Sequence, residues 1–285
     1  MNKTMKKILF MFAAALMMVA CSNEEIVTND DVQYVSELKL NFGKGDSRIA
    51  ATHDPASGLK FAWENGDVIE VWEDLNATAA RKMFEYDATA GCFKPQNNRD
   101  DNKLEVGKKY FAVTTSEAYN ISVKDGKSVV PMELKGGLGL GQLPMITDVF
   151  EATAENTMAT MHHTVGVVEI PVKAAAAGAK LQTLGLKNTN PAIRGNFNMS
   201  PEVLDSWENV YGYFDSYNQK ASDTPIKLKT TETTSIFIPA WPNTYTSAKI
   251  AYTLEGGAEK TITTAITDLT VERGKITKIS EVTLE

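Results

Sequence analysis

Cysteine and histidine are both scarce, with two of the first and three of the second in 285 residues. Cys21 lies at the end of a leader-like apolar run, which leaves Cys92 without a partner in the chain. A disulfide-stapled scaffold is excluded, and stability has to come from burial. His162 and His163 are adjacent, and adjacent strand residues point to opposite faces, so they cannot chelate one ion; one packed and one exposed imidazole is expected. His53 is the only other imidazole, and the sequence has neither a Gly-x-Ser-x-Gly elbow nor a Cys–His pairing at a recognisable spacing. Nucleophilic catalysis therefore has no basis. The glycine-rich "GGLGLGQ" (136–142) lacks the Gly-x-Gly-x-x-Gly order of a phosphate loop, and nothing in the sequence fixes two carboxylates at glycosidase spacing. The chain reads as a non-enzyme with no metal or cofactor site.

Positive charge is also in deficit, with 29 Lys and Arg against 36 Asp and Glu. The basic residues form no run longer than two, so the sequence shows no patch of the kind that binds a phosphate backbone, which disfavours nucleic acid as a partner. Ile8–Ala20 is uninterrupted and apolar but too short to cross a membrane. Preceded by Lys3, Lys6 and Lys7, it has the layout of a secretory signal peptide over residues 1–20. Removing it takes three lysines and no acid, moving the formal balance from −7 to −10.

The run ends Met18-Val19-Ala20-Cys21, which resembles the lipobox of bacterial lipoproteins. The resemblance implies cleavage after Ala20 and a diacylglyceryl group on the Cys21 sulfur, anchoring the chain in a membrane. Acyl chains contribute about 0.8 kcal/mol per buried CH₂, so two or more hold a protein durably. The following stretch, acidic at Glu24 and Glu25, is too polar to order itself, and residues 21–33 read as a lipidated tether. Its acidic start resembles the surface-export signal of Bacteroidetes lipoproteins, implying display on the outer membrane's exterior.

Short alternating runs broken by turn signals make up most of the remaining chain, the pattern of an all-β sandwich. In "SELKLNF", Leu38, Leu40 and Phe42 share one face and Lys39 and Asn41 the other. Asn65-Gly66 predicts a tight hairpin turn between the two runs of "LKFAWENGDVIEVW". Further strands are expected at Tyr110–Thr115, Ser128–Glu133, Met145–Glu151, Thr164–Val172, Leu181–Lys187, Ile193–Met199, Ile226–Thr230 and Ser235–Pro239, then in "SAKIAYTLEGGAEKTITTAI" and "KITKISEVTLE". Ser200-Pro201-Glu202 predicts the cap of one short helix through Trp207. The polar "EATAENTM" (151–158) marks a boundary near residue 154, giving domains at 34–153 and 154–285.

From Glu37 to Glu285 the chain resembles the fimbrillin-like pilin lipoproteins of Bacteroidetes. The matching elements are "FAWENGDVIEVW", "MHHTVGVVEIPV", "SIFIPAW" and "LTVERGKITKISEVTL", in that order. The resemblance implies two tandem transthyretin-like β-sandwich domains and a subunit of a type V pilus. It further implies a trypsin-like or arginine-specific protease that removes the first strand, and a groove that then accepts a strand from the carboxyl end of another subunit. Arg48-Ile49, in the Gly-, Asp- and Ser-rich "KGDSRIAAT", is the candidate cut site, since exposed loops of this kind are where nicking concentrates. The removable strand would be 34–42, with Leu38, Leu40 and Phe42 facing inward. The candidate donor is 275–285, where Val282 and Leu284 alternate but Ile276 and Ile279 do not.

An alternative is a permanently anchored, monomeric surface lipoprotein that stacks glycan on exposed aromatics. Trp207, Tyr211, Tyr213 and Tyr217 in "WENVYGYFDSY" are its candidate contacts, although aromatics are more often core.

Overall fold

The computed structural model describes residues 32–42, 52–54, 58–60, 63–114, 121–134, 143–215, 218–262 and 266–285, with 52–54, 58–60, 98, 196, 204–215 and 218–223 as backbone alone. The signal peptide, Cys21, Arg48, Ile49, Tyr217 and the glycine-rich 136–142 lie outside the described residues, as does the tether up to residue 31. Among the described residues the secondary structure is β apart from two single-turn 3₁₀ segments, Gln96–Asn98 and Asp100–Asn102.

The first sheet runs, edge to edge, through Lys39–Phe42, Met158–His163, Met145–Thr147, Lys109–Val113, Val68–Glu73, Lys82–Asp87 and Cys92–Pro95. Neighbours are antiparallel except Lys39–Phe42, which lies parallel to Met158–His163. Its inner face holds one core, built from Leu38, Ile69, Val71, Phe84, Phe93, Tyr110, Ala112 and Met161 among others. Trp72, Phe111, Val113 and Ile146 point the other way, into a second core with Val130, Met132, Phe197 and Trp241. Both faces of the central strands are thus covered, which is why "VIEVW" and "YFAV" are nearly continuous apolar runs. Glu70 interrupts the first and is buried; Arg81 Nη1 lies 2.9 Å from its Oε1. Burial pushes this carboxyl up from its ordinary range, and the guanidinium opposes that shift.

Ser122–Lys124, Lys127–Leu134, Arg194–Ser200 and Val203–Asp215 form a separate antiparallel sheet that joins the two halves of the sequence. Beyond it, Gly166–Ala174 lies between antiparallel Thr234–Ala240 and the parallel segments Ile276–Lys278 and Val282–Leu284. A further sheet, Asn218–Lys227, Lys180–Asn190, Ser247–Leu254 and Lys260–Thr261, supplies Leu184, Leu186, Ile250 and Tyr252 to a third core shared with Val168, Ile170, Val172 and Leu284. Gly166 opens this region where two chain segments nearly touch: a Cβ there would lie 2.3 Å from the Glu272 carbonyl oxygen. Only glycine fits so close a backbone approach.

Three expectations need correction. The changeover between sheets is at Thr164–Val165 and not near 154, because Met158–His163 is hydrogen-bonded into the first sheet through Met145–Thr147. The polar 151–158 stretch is a loop within that sheet, held by Thr157 Oγ1, which accepts from Thr153 N at 3.0 Å and donates to Thr153 O at 2.9 Å. Second, Asn65-Gly66 turns the chain but joins no hairpin, since both edges of Val68–Glu73 are occupied by Lys82–Asp87 and Lys109–Val113. Asp67 N donates to Glu64 O at 3.0 Å with positive φ at Gly66 alone, a type II turn, whereas the I′ hairpin turn needs positive φ at both central residues. Third, the helix through Trp207 is the strand Val203–Asp215. The Ser200 hydroxyl accepts from Glu202 N at 3.3 Å, so the local bonding typical of a helix cap here closes a hairpin.

Candidate functional site

The residues from Val35 to Phe42 form a ribbon that stitches together the two edges of the first sheet. Leu38 exchanges both backbone bonds with Phe93, N to O at 2.9 and 2.8 Å, on the Cys92–Pro95 edge. One residue on, Lys39 N donates to Thr157 O at 3.0 Å, and Leu40, Asn41 and Phe42 pair in parallel with Ala159, Thr160 and Met161 on the opposite edge. The ribbon therefore closes the sheet on itself. Unpaired edges template the addition of another strand, and here one short segment satisfies both.

Side chains follow the strand period. Leu38 is fully buried and Val35 is buried near it, Leu40 and Phe42 are half-buried, and Lys39 and Asn41 are exposed. Burying a leucine contributes about 1.5–3 kcal/mol, and each net backbone bond about 0.5–1.5 kcal/mol. Phe42 enters an aromatic seat: its ring stacks on Trp63, which meets Phe93 edge-on at 4.8 Å and Tyr86 at 6.3 Å. Tyr86 and Phe93 complete the cluster at 5.2 Å. Sequence reading found the ribbon through its alternation but not this wall, in which Tyr86 and Phe93 are paired across neighbouring strands and Trp63 comes from a separate stretch. Cys92, the other missed neighbour, is a buried free thiol. Burial pushes it up from its ordinary range, and the nearby Glu37 carboxylate of the ribbon adds to the shift.

The 275–285 segment, the candidate donor, is engaged within its own region. Val167 pairs with Ile276 and Val172 with Val282, Leu284 is fully buried in the third core, and Ala175 N donates to Leu284 O at 2.8 Å. Lys278 Nζ lies 2.9 Å from buried Glu169, Glu281 pairs with Lys173 at 2.5 Å, and the Tyr252 hydroxyl holds the Glu285 main chain at 3.1 Å. Beside it, an open groove of about 940 Å³ is lined by Ile250, Ile262, Ile266, Ile279 and Val282, and it lies apart from the ribbon residues.

Trp207 pairs with Met199, and the register slips between Asn209 and Phe214, so Tyr211 and Tyr213 fall in a bulge. His163 is buried, while His162 is half-buried and 3.0 Å from Asp148 Oδ2, where an exposed ring was expected. Among the described residues no group of three or more His, Cys, Asp and Glu is placed to hold a metal ion.

No family model matches the sequence, and no curated protein is significantly similar to it. The fold is similar to that of a candidate cell adhesion protein from Bacteroides ovatus, with TM-score 0.60 and 12% identity over 88% of this chain and 92% of that one. A candidate cell adhesion protein from Bacteroides uniformis gives 0.46 and 13% over 90% and 94%, and a fimbrial protein from Bacteroides vulgatus 0.43 and 13% over 87% and 95%. At these identities the likeness is one of fold alone.

Proposed function

We propose that the chain is a structural or adhesive subunit of a cell-surface fimbria of the type V kind. It is exported as a lipoprotein precursor held to the outer membrane through Cys21. A trypsin-like or arginine-specific protease then hydrolyses the peptide bond after Arg48, releasing the anchor with the Tyr34–Phe42 ribbon, and a strand from another subunit takes the vacated place. The observation that carries this reading is the ribbon's double attachment. One short segment, immediately upstream of the arginine, satisfies two sheet edges and fills apolar seats that a donated strand would fill in the same way. The adhesion description of the Bacteroides ovatus neighbour of like fold supports the same assignment.

The test is assembly on cells. Wild-type protein sheared from the surface should run as a ladder that collapses on heating, and Arg48→Ala should remain a single species tethered to the membrane. Ladders of normal length from the Arg48→Ala strain would refute the proteolytic trigger.

A further inference from the structure

The ribbon's inward residues read Val35-x-x-Leu38-x-Leu40-x-Phe42, aliphatic at the first three positions and aromatic at the last. The last seat is the demanding one. Phe42 stacks on Trp63, which is itself backed by Phe93 and Tyr86, and another planar ring is what covers the Trp63 indole in the same geometry. Within this chain, no register lying inside residues 275–285 reproduces the pattern: from Ile276 and Ile279 the third and fourth members fall on Glu281 and Thr283. That segment is also committed elsewhere, with Leu284 fully buried and Lys278 paired to Glu169.

We propose, resting on the strand-exchange reading above, that the Trp63–Tyr86–Phe93 seat selects the incoming strand. The partner is a different protein, whose extended segment reads aliphatic-x-x-aliphatic-x-aliphatic-x-aromatic and lies parallel to Met158–His163, in preference to the 276–284 segment of a second copy. The second aliphatic member of the pattern, at the place of Leu38, faces Phe93, where backbone bonds are exchanged in both directions. The residues after it pair with Ala159 to Met161, so register and direction are fixed by the two edges together. A strand without the ring leaves the seat open to water and gives up the stacking contacts, which separates the two kinds of donor by about tenfold or more in affinity.

The experiment offers three synthetic peptides to the full chain during cleavage by an arginine-specific protease, and follows uptake by native mass spectrometry. One peptide is residues 34–42, the second carries Phe42→Ala, and the third is residues 275–285. Uptake of the first at least about tenfold tighter than of the other two supports the proposal. Equal uptake of all three overturns the selectivity while leaving strand exchange intact. A chain that is cut and takes up none, its own ribbon sequence included, overturns strand exchange itself. The same peptides offered to uncut Leu38→Ser, whose ribbon is loosened, read the selectivity without dependence on the cut.

Discussion

The Phe42 ring lies over the Trp63 indole with centroids 5.3 Å apart and planes 24° from parallel. Phe42 is the last described residue of the ribbon, so this stack marks the end nearest Arg48. Phe42→Ala should shift the Trp63 emission to the red and cost about 1–2 kcal/mol, since the ring is half-buried. The Trp63→Phe background, lacking the reporter, should lose the emission change.

Leu38→Ala should be costlier, about 2–5 kcal/mol in urea unfolding, because the side chain is fully buried between the sheet edges. Leu40→Ala, half-buried on the same face, should cost less. Equal losses would mean that Leu38 has no special place in closing the sheet.

Cys92 offers a chemical reporter of the same event. The thiol is 1% exposed and lies on the edge strand that the ribbon covers, so thiol reagents should reach it slowly in the intact chain. Labelling mapped to Cys92 should accelerate in Leu38→Ala. Unchanged labelling in that variant would show that the ribbon does not shield the edge.

Gly166→Ala should lower the melting temperature, at a cost of about 1–3 kcal/mol, since the added methyl meets the Glu272 carbonyl oxygen and the Val271 side chain with no room to move. Gly178→Ala is a useful contrast, since its φ of +85° strains an alanine while open space surrounds the added methyl.

Acid should loosen the carboxyl-terminal strand. Lys173 and the Thr233 hydroxyl hold the Glu281 carboxyl below its ordinary value of 4.5, so its pairing is stabilising above that value and is lost as pH falls through the lower, folded value. Amide exchange at Val282–Leu284, corrected for its intrinsic pH dependence, should rise relative to that of Lys180–Asn190 as pH falls below the ordinary value of 4.5, and Lys173→Met should flatten the difference.

Local alternation made several strands legible. Leu38, Leu40 and Phe42 fall on one face, and Lys127–Leu134 buries every second side chain. Lys82–Asp87 escaped notice because Phe84 alone is fully buried there, and Cys92–Pro95 because it is four residues long and ends in proline. The closure of the first sheet could not be read at all. It depends on Leu38 meeting Phe93 and Leu40 meeting Ala159, pairings far apart in sequence that leave no periodic trace. The aromatic seat has the same origin, with Trp63, Tyr86 and Phe93 gathered by the sheet rather than by spacing. Ser200-Pro201-Glu202 misled because one side-chain bond serves both a helix cap and a hairpin.

The replaceable ribbon is tested most directly by the amino terminus of protein sheared from the cell surface in assembled form, read by mass spectrometry. Ile49 as the first residue, with the 34–42 sequence missing from the polymer, is the predicted result. Assembled protein that begins at an acylated Cys21 and retains its own ribbon would contradict it.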